Sequence, residues 1–573
     1  MQSKSAMLPG VSTFKLTLLA GAIMLVSGGA AAQTSSGSLL QEIERMRPGQ
    51  QQLPEAEAPA LEQRQLPSAK DGEVKFDVKK IEFVGNTKLS QEALDAIVEP
   101  YYNSKMTLSQ LRSLSDTVAQ AYREAGWLVN VTLPKQDVTE GTVKMLVVEA
   151  KFGGVKIDAP ESRVSVERIE AWIASHMAVG ETLSLNDLDR AILTLNDLSD
   201  VTVLATLQAG DRPGETALKV SAKDKPLISG IGSVDNFGDP ATGAGRTTLM
   251  SSVNGPFGYG EQLAFYGLAT DGSQYGRLSL SAPVGKNGLK LGVAGSSMSY
   301  KVTKDGFNSL NSYGTAQAAA VDASMPIIRS RSTNLYATGS LGQNNFDNST
   351  IVGTTNRYNT KVLQAGLSGN MIDGLGGGGL TQASVNASFG RVDLNDSPLF
   401  AADDAGPQTN GSFSKLRFSL NRNQNISDNL SLYASVQGQV ANKNLDASEQ
   451  MYMGGPYGVR AYSSGQGAAA QGTQATVEVR YNLPQQIQVA AFYDVAQVQS
   501  YKNTDFAGAP VDNTYMMQGV GASVSWSGPY GIQAKATYAH RVGSPPDSVS
   551  TLFSGQASGL SDNRVWLNVS IPF

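Results

Sequence analysis

The clearest chemical pattern in the chain lies near its C-terminus. The run from Met451 to Ser463 places one arginine, Arg460, on a glycine-rich loop, and the segment Phe492-Tyr-Asp-Val-Ala496 carries one aspartate, Asp494. A partly desolvated, unpaired charge costs several kcal/mol, so an enclosed arginine needs a counter-charge. Arg460 and Asp494 could therefore pair if both lie inside a barrel. The residues of this motif are Gly454, Gly455, Val459, Arg460, Tyr462, Phe492 and Asp494.

Groups for bond-making chemistry are scarce. The chain holds two histidines, His176 and His540, and no cysteine. A hydrolytic site built on a histidine base would need one of these two. His176 falls in a helical unit, and His540 shares the apolar parity of Tyr538 on a strand, so a structural role is expected for both. The sequence predicts no catalytic residue, no metal site and no cofactor.

Composition excludes a second class of function. The chain has 573 residues, of which 17% are charged, and its pI is near 5.4. Nucleic-acid binding would call for a clustered basic excess, which is missing. Without cysteine there is no disulfide, and a route through an oxidising compartment carries no risk of a stray thiol. The length allows several domains.

The first 32 residues have the pattern of a secretory signal. Lys4 and Lys15 supply positive charge before the apolar run from Leu16 to Val26, and Ala30-Ala-Ala32 offers small residues for cleavage before Gln33. The apolar run is far shorter than the roughly 20 residues that a spanning helix needs. Residues 1–32 are therefore predicted to be removed.

Residues 33–75 pair a short helix with a linker. The segment from Ser38 to Arg47 has helical spacing of its apolar residues, and Pro48-Gly49 would stop it. Pro54, Pro59 and Pro67 then mark an extended, movable tether. A helix on a tether suggests a movable part, whereas a disordered mature N-terminus remains the alternative. The apolar stripe of the helix is Leu39, Leu40, Ile43 and Met46.

Two similar α+β units are predicted in residues 76–150 and 151–225. Each has the order strand, helix, helix, strand, strand. In the first unit, helices are expected over Ser90–Tyr101 and Leu108–Ala125 after a strand over Val78–Val84. In the second, helices are expected over Val166–Ala174 and Leu185–Leu198. Serine before a helix, as at Ser90, is a favourable N-cap.

From residue 226 to residue 573 the chain alternates apolar and polar residues, with turns rich in Gly, Asn, Asp and Ser. A soluble sandwich would alternate in the same way. Charged residues on the inward parity, as at Lys415 and Arg417, indicate a wet lumen. At roughly 20–22 residues per strand with its connection, this region holds about sixteen strands. The prediction is a closed antiparallel transmembrane barrel, which leaves no unpaired backbone in lipid.

These features together resemble the two-partner secretion transporters of the BamA-like superfamily, which export haemolysins and haemagglutinin-type adhesins. The two units resemble POTRA domains through Phe83-Val-Gly-Asn-Thr87 and the run from Leu188 to Asp197. The motifs around Arg460 and Asp494 resemble the Val-Arg-Gly-Tyr loop and the Phe-x-Asp-x-Gly strand, with Ala461 and Ala496 in place of glycine. Alanine at a position with φ > 0 would cost about 1 kcal/mol or more.

The resemblance implies a function and partners. The helix would plug the pore at rest, the POTRA units would capture an unfolded, large, β-helical exoprotein of the adhesin or cytolysin class, and the motif loop would fold into the barrel. The protein would lie in outer-membrane lipid after insertion by the barrel assembly machinery, for which the terminal Phe573 resembles the recognition signal. No ATP, no enzyme activity and no nucleic-acid partner are implied.

Two alternatives stay open at this point. A BamA-like insertase would share the barrel but usually carries more POTRA domains and no plug helix, and a passive porin would not need the periplasmic repeats. Within the barrel, Asp494 shares the parity of Phe492 and is expected to face the lumen. Glu478 and Arg480 share a lumen-facing parity on the preceding strand and are interpreted as general lumen charges.

Overall fold

The computed structural model of the chain describes residues 34–47, 74–159, 162–303, 310–544 and 561–573. The predicted signal segment and the prolines of the predicted linker lie outside these residues. Among the described helices, not one combines the length and the apolar character that a membrane crossing requires.

The first α/β unit packs two helices on a small sheet. Strand β2 pairs in parallel with β5, which also pairs antiparallel with β4, while β1 and β3 form a separate two-stranded ladder. Ser90 and Thr107 cap the two helices by accepting from backbone N–H groups three residues on. The elements are β1 Lys75–Val78, β2 Lys80–Val84, α2 Gln91–Val98 with a 3₁₀ turn Glu99–Tyr101, β3 Ser104–Thr107, α3 Leu108–Glu124, β4 Val129–Thr132 and β5 Thr142–Glu149; α1 denotes the N-terminal helix Ser36–Met46.

One expectation for this unit was wrong in detail. Of the single strand predicted over Val78–Val84, only Lys80–Val84 forms β2, and Val78 instead ends β1, because the backbone N–H groups of Lys79 and Lys80 both donate to the carbonyl of Gly141 between the two ladders. Strand β3 was not predicted. It is four residues long and has no alternating pattern of its own, and its pairing with β1 depends on a partner distant in sequence.

The second unit repeats the predicted order. Its sheet has the order β6-β8-β7, with β6 parallel to β8. Trp172 lies at its centre with 1% exposure, and its indole Nε1–H donates to Thr194 Oγ1 at 2.9 Å, so the one polar atom of the ring is satisfied. The elements are β6 Lys151–Asp158, α4 Val166–Ala174, α5 Leu185–Asn196, β7 Val201–Ala209 and β8 Glu215–Asp224.

Sixteen antiparallel strands close into a barrel, as predicted. The first eleven are β9 Ile228–Asp235, β10 Arg246–Asn254, β11 Gln262–Ala269, β12 Ser273–Pro283, β13 Lys290–Lys301, β14 Tyr313–Arg329, β15 Thr333–Thr350, β16 Gly353–Asp373, β17 Gly379–Asp393, β18 Gly411–Asn425 and β19 Leu430–Ala441, with a short helix α6 Phe400–Ala405 between β17 and β18. Two short paired strands, β20 Met451–Tyr452 and β21 Ala468–Ala469, come next and are not part of the barrel. The last five barrel strands are β22 Gln471–Leu483, β23 Ile487–Gln499, β24 Thr514–Ser527, β25 Gln533–Arg541 and β26 Asn563–Pro572.

Closure excludes the sandwich alternative. Strand β26 pairs with β9 over five residue pairs, from Asn568–Asp235 to Pro572–Ile231. The backbone N–H of Phe573 donates to the carbonyl of Gly230 at 2.9 Å, which extends the seam to the last residue. Leu278 and Leu280 are exposed on the outer face, as their parity predicted, whereas Tyr275 on the other parity is buried inside.

Polar contacts hold the second α/β unit against the turns at one end of the barrel. Arg163 binds Asp224 and donates to the carbonyls of Asn254 and Lys225 at 2.6 and 2.7 Å. Burial alone would raise the pKa of Asp224, but the hydrogen bonds from Arg163 and its neighbours lower it below the ordinary value. In a second contact, Arg329 donates from Nε and Nη2 to Asp197 at 2.9 and 2.8 Å.

The contact between Asp197 and Arg329 generates a prediction. Arg329 is 5% exposed, and removing one partner of a buried ion pair costs about 3–5 kcal/mol. We expect Asp197→Ala to loosen the second unit from the barrel and to speed limited proteolysis near residue 225 by about tenfold or more. Asp211→Ala is the control, because Asp211 is 82% exposed. Equal cleavage of the two variants would show that the contact does not hold the unit.

Candidate functional site

The loop between β19 and β22 folds back into the lumen and is shaped by its glycines. At its base, Met451 pairs with Ala469 and Tyr452 with Ala468. Gly455 has φ = 98°, a left-handed conformation that glycine adopts without strain. A side chain at Gly454 would place its Cβ only 2.5 Å from the carbonyl oxygen of Ser463. The backbone N–H of Val459 donates to the Met453 carbonyl at 2.7 Å, which turns the next residue towards the wall.

That next residue, Arg460, is bound to the barrel wall by four hydrogen bonds. Its Nε and Nη2 donate to Oδ2 and Oδ1 of Asp494, both at 2.9 Å, and its backbone N–H donates to the same Oδ2 at 3.1 Å. Its Nη1 donates to Oε2 of Glu478 at 2.9 Å. Arg460 is 7% exposed and Asp494 is fully buried. The two residues that the sequence singled out therefore meet in a bidentate pair, the strongest geometry available to this ion pair.

The interpretation of Glu478 as a general lumen charge was wrong. Besides binding Arg460, Glu478 accepts from Arg480 Nε at 2.7 Å, so it bridges the two arginines. Thr476 adds a hydroxyl bond to Asp494 Oδ1 at 2.9 Å. The register explains the cluster, because Thr476 lies directly opposite Asp494 and Glu478 opposite Phe492 on paired strands. The alternation of side chains along each strand already places these groups on one face of the sheet. The register between the two paired strands is what brings them to the same guanidinium.

Two aromatic rings complete the surroundings of Arg460. Its guanidinium carbon lies 3.2 Å from the ring centroid of Phe492, which is a cation–π contact. The indole N–H of Trp566 donates to the Arg460 carbonyl at 2.8 Å, so the last strand also binds the loop. Sequence reasoning missed Trp566. Its inward parity on β26 was the available signal, because a tryptophan facing a lumen must satisfy its N–H.

Alanine is compatible with the backbone at both departures from the family motif. Neither Ala461 nor Ala496 is among the described residues with positive φ, so neither carries the strain that a left-handed alanine would have. Both are buried, at 2% and 1% exposure. Space for Ala461 comes from Gly519 on β24, where a Cβ would approach that of Ala461 to 2.7 Å.

Helix α1 lies in the lumen and begins two residues before the predicted start. Ser35 caps it, in a reciprocal pair with Ser38. Leu39, Leu40 and Ile43 are buried in one cluster with inward side chains of the barrel wall, and Met46 packs with Phe237 and Trp566. The apolar stripe read from the sequence is thus the face that the helix buries.

Polar contacts tie the same helix to the motif loop and to the wall. Arg45 donates to the carbonyl of Tyr452 and, at 3.2 Å, to that of Gly454. Glu44 lies 3.3 Å from Arg277 on β12 and also accepts from the Tyr275 hydroxyl. Loop and helix together therefore occupy the pore, and the described residues hold no cluster of three potential metal ligands there.

Comparison with protein families matches two parts of this architecture. Residues 214–528 match the family of the haemolysin secretion/activation protein ShlB/FhaC/HecB, which is more than half of the chain. Residues 76–150 match the POTRA domain of ShlB type.

Two curated relatives match over most of their length. The heme/hemopexin transporter protein HuxB of Haemophilus influenzae strain 86-028NP is 26% identical over 543 residues, which are 92% of this chain and 95% of HuxB. The outer membrane transporter CdiB of Dickeya dadantii strain 3937 is 22% identical over 402 residues, 68% of this chain and 69% of CdiB.

Solved structures share the fold. CdiB from Escherichia coli superposes with a TM-score of 0.65 at 19% identity and covers 100% of both chains. BamA from Haemophilus ducreyi lacking POTRA domains 1-3 reaches a TM-score of 0.50 at 14% identity and covers 87% of this chain and 100% of its own. The family match and the curated relatives HuxB and CdiB favour a secretion transporter over an insertase. With its sixteen-stranded barrel and N-terminal POTRA region, this chain belongs to the family of the haemolysin secretion/activation protein ShlB/FhaC/HecB and is an outer-membrane transporter that exports an exoprotein by two-partner secretion.

Proposed function

We propose that the transporter captures its unfolded exoprotein on the POTRA units, residues 76–150 and 151–225, and passes it through the barrel after helix α1 leaves the lumen. The observation that carries the proposal is the occupied pore: helix α1 and the motif loop lie in the lumen of a barrel wide enough for an extended chain. Passage needs no nucleotide, because folding of the emerging chain outside the cell biases movement outward. A cleaved signal, residues 1–32, and the linker up to residue 75 complete the proposed domain order.

Capture is assigned to the free edge of β7 in the second unit. Asn196 binds both the N–H and the carbonyl of Val203, at 2.6 and 3.0 Å, and so closes the start of this edge. The same parity leaves the backbone of Ala205, Leu207 and Ala209 directed outward. An extended chain can add here as a strand, since backbone hydrogen bonds provide affinity without demanding one sequence.

The cargo class rests on relatives. A large β-helical exoprotein of the adhesin or cytolysin class is the proposed partner. One relative is a heme/hemopexin transporter, which makes a heme-scavenging exoprotein a further candidate cargo. Phe573, 60% exposed at the end of β26, is the proposed signal for the barrel assembly machinery.

The first prediction concerns the helix as a gate. Replacing residues 36–47 by a glycine/serine segment of equal length should raise single-channel conductance severalfold in planar bilayers, because the lumen loses its plug while the tether keeps its length. Secretion should continue. Gln41→Ala is the matched control, since Gln41 lies on the helix but outside its apolar stripe. Unchanged conductance in the replacement variant would remove the gating role.

The second prediction concerns capture. A soluble fragment of residues 70–225 should bind the unfolded N-terminal region of the exoprotein in the micromolar range, roughly −8 kcal/mol, measured by calorimetry. Leu207→Pro should weaken binding by removing one edge donor, whereas Leu207→Ala keeps that donor and serves as control. Circular dichroism checks the fold of each fragment. Equal affinity of the two variants would place capture on another surface.

The third prediction concerns the ion pair. We expect Arg460→Ala and Asp494→Ala each to reduce secretion sharply without preventing barrel insertion, because either breaks the bidentate pair and deprives a buried charge of its main partner, at a cost of about 3–5 kcal/mol. The double variant should be little worse than either single, since both remove one contact. The measurement is secreted exoprotein per unit of heat-modifiable, inserted transporter.

A matched control for the ion pair lies at the barrel rim. Arg357 pairs with Asp347, but its side chain is 62% exposed, so Arg357→Ala should leave secretion near the wild-type level. Glu478→Gln should have an intermediate effect, because Asp494 still holds Arg460. Full secretion by Arg460→Ala, or additive losses in the double variant, would contradict the role of the pair.

A further inference from the structure

A pair of basic residues lies on the outer face of the barrel. Lys361 on β16 and Arg391 on β17 stand directly opposite each other across the ladder between these strands, and both are exposed. Both point away from the lumen, because Val362 and Val392, the residues that follow them, are buried inside. Like charges directly opposite each other on neighbouring strands destabilise a sheet. The pair therefore calls for a negative partner.

The described part of the chain offers the pair no such partner. Among the residues that the structure describes, neither the Lys361 ammonium nor the Arg391 guanidinium takes part in a hydrogen bond or an ion pair. Asp393 is the next outward residue on β17, but its carboxylate accepts from the backbone N–H of Asn395 at 3.2 Å. The negative partner of Lys361 and Arg391 is therefore expected outside the protein.

The basic pair lies at the height where the outer leaflet of the membrane meets water. Arg329 at the end of β14 binds Asp197 of the second α/β unit, so β14 and β15 join at the periplasmic end, and β15 and β16 join at the extracellular end. On the outward face of β16, Met371 is the last apolar side chain towards the periplasm, and Lys361 precedes it by ten residues. At about 3.3 Å per residue and a tilt of about 40°, this distance is about 25 Å along the membrane normal, which is the height of the apolar band of an outer-membrane barrel.

Rows of side chains across neighbouring strands surround the pair. In its own row, Gln343 on β15 stands opposite Lys361 and Ser412 on β18 stands opposite Arg391, so an amide and a hydroxyl flank the two charges. The next row towards the centre of the membrane is apolar, and its side chains are between 53% and 61% exposed. That apolar row is Leu341, Leu363 and Phe389, in direct register.

Another row near the extracellular ends of the strands is neutral. On the outward face of β10 to β13 it carries no charged side chain. Two cations brought together at one point therefore differ from the rest of this rim, and a concentrated positive charge favours one anionic group over a diffuse attraction to the leaflet. The neutral row is Thr247, Ala269, Gln274 and Ser299.

We infer that Lys361 and Arg391 bind the phosphate group of a lipid in the outer leaflet, and that its acyl chains lie on the apolar row below. A phosphate supplies the charge that the pair lacks, and a guanidinium can bind two phosphate oxygens in parallel. The bound lipid neutralises the repulsion between the two strands and so stabilises this side of the barrel. The inference does not depend on how the exoprotein is captured or on the movement of helix α1.

Native mass spectrometry can test the site. The full-length transporter, purified in an uncharged detergent and stripped of lipid, is titrated with diphosphorylated lipid A and separately with the same lipid lacking phosphate. The test variant combines Lys361→Gln with Arg391→Gln. Arg357→Gln is the matched control, because Arg357 lies on the same face of β16 but already pairs with Asp347 at 2.6 Å. Heat modifiability confirms that each barrel is folded.

Lipid A should bind the wild-type chain at least about tenfold more tightly than the double variant, and Arg357→Gln should bind it like the wild type. The lipid without phosphate should bind the wild type and the double variant equally. Inorganic phosphate at millimolar concentration should not displace lipid A, since it has no acyl chains; displacement would show that a free phosphate, and not a lipid, is the ligand. Equal affinity of the wild type and the double variant for lipid A would overturn the site.

A charge reversal separates lipid binding from the stability of the barrel. Lys361→Glu places a carboxylate opposite Arg391, so in detergent without lipid A it should raise the unfolding temperature of the barrel above that of the wild type. The same variant should lose affinity for lipid A at least as strongly as the double variant. A lower unfolding temperature in lipid-free detergent would show that the two cations do not repel each other there, and would contradict the inference.

Discussion

In the hydrocarbon of the membrane, backbone N–H and C=O groups can form hydrogen bonds only with each other, and the remaining architecture follows from that constraint. An unpaired backbone group in hydrocarbon costs several kcal/mol, so the sheet must close, and the β9–β26 seam closes it. Closing sixteen strands creates a pore too wide for its own side chains to fill. The apolar parity then faces lipid, and the polar side chains, the loop and the helix are left to occupy the interior.

The interior is held by one connected set of contacts. Arg460 ties the tip of the motif loop to Asp494 and Glu478 on the wall, and Arg45 of helix α1 donates to carbonyls of the same loop. Trp566 joins the Arg460 carbonyl to the last strand and also packs against Met46 of the helix. Groups that share partners in this way are energetically coupled. The helix therefore cannot move without changing the surroundings of the loop that carries Arg460.

Much of the fold could be read from local patterns. Alternation along Leu278–Leu280 identified the lipid face, serine marked the helix start at Ser90, and the stripe from Leu39 to Met46 identified the face that α1 buries. These signals are reliable because each depends on neighbours close in sequence. Strand β3 escaped prediction because, among the described strands, it pairs with β1, which is distant in sequence, and four residues carry no periodicity of their own.

The sequence by itself determined which residues face the lumen, because side chains alternate between the two faces along each strand. It also paired Arg460 with Asp494, by charge and by resemblance. Only the tertiary structure decided that Glu478 completes this ion cluster, that Trp566 holds the loop carbonyl, and that Ala461 sits opposite Gly519 without strain. Register between strands and the path of a loop across the pore set those contacts, and both arise from closing the whole barrel, which no local pattern encodes.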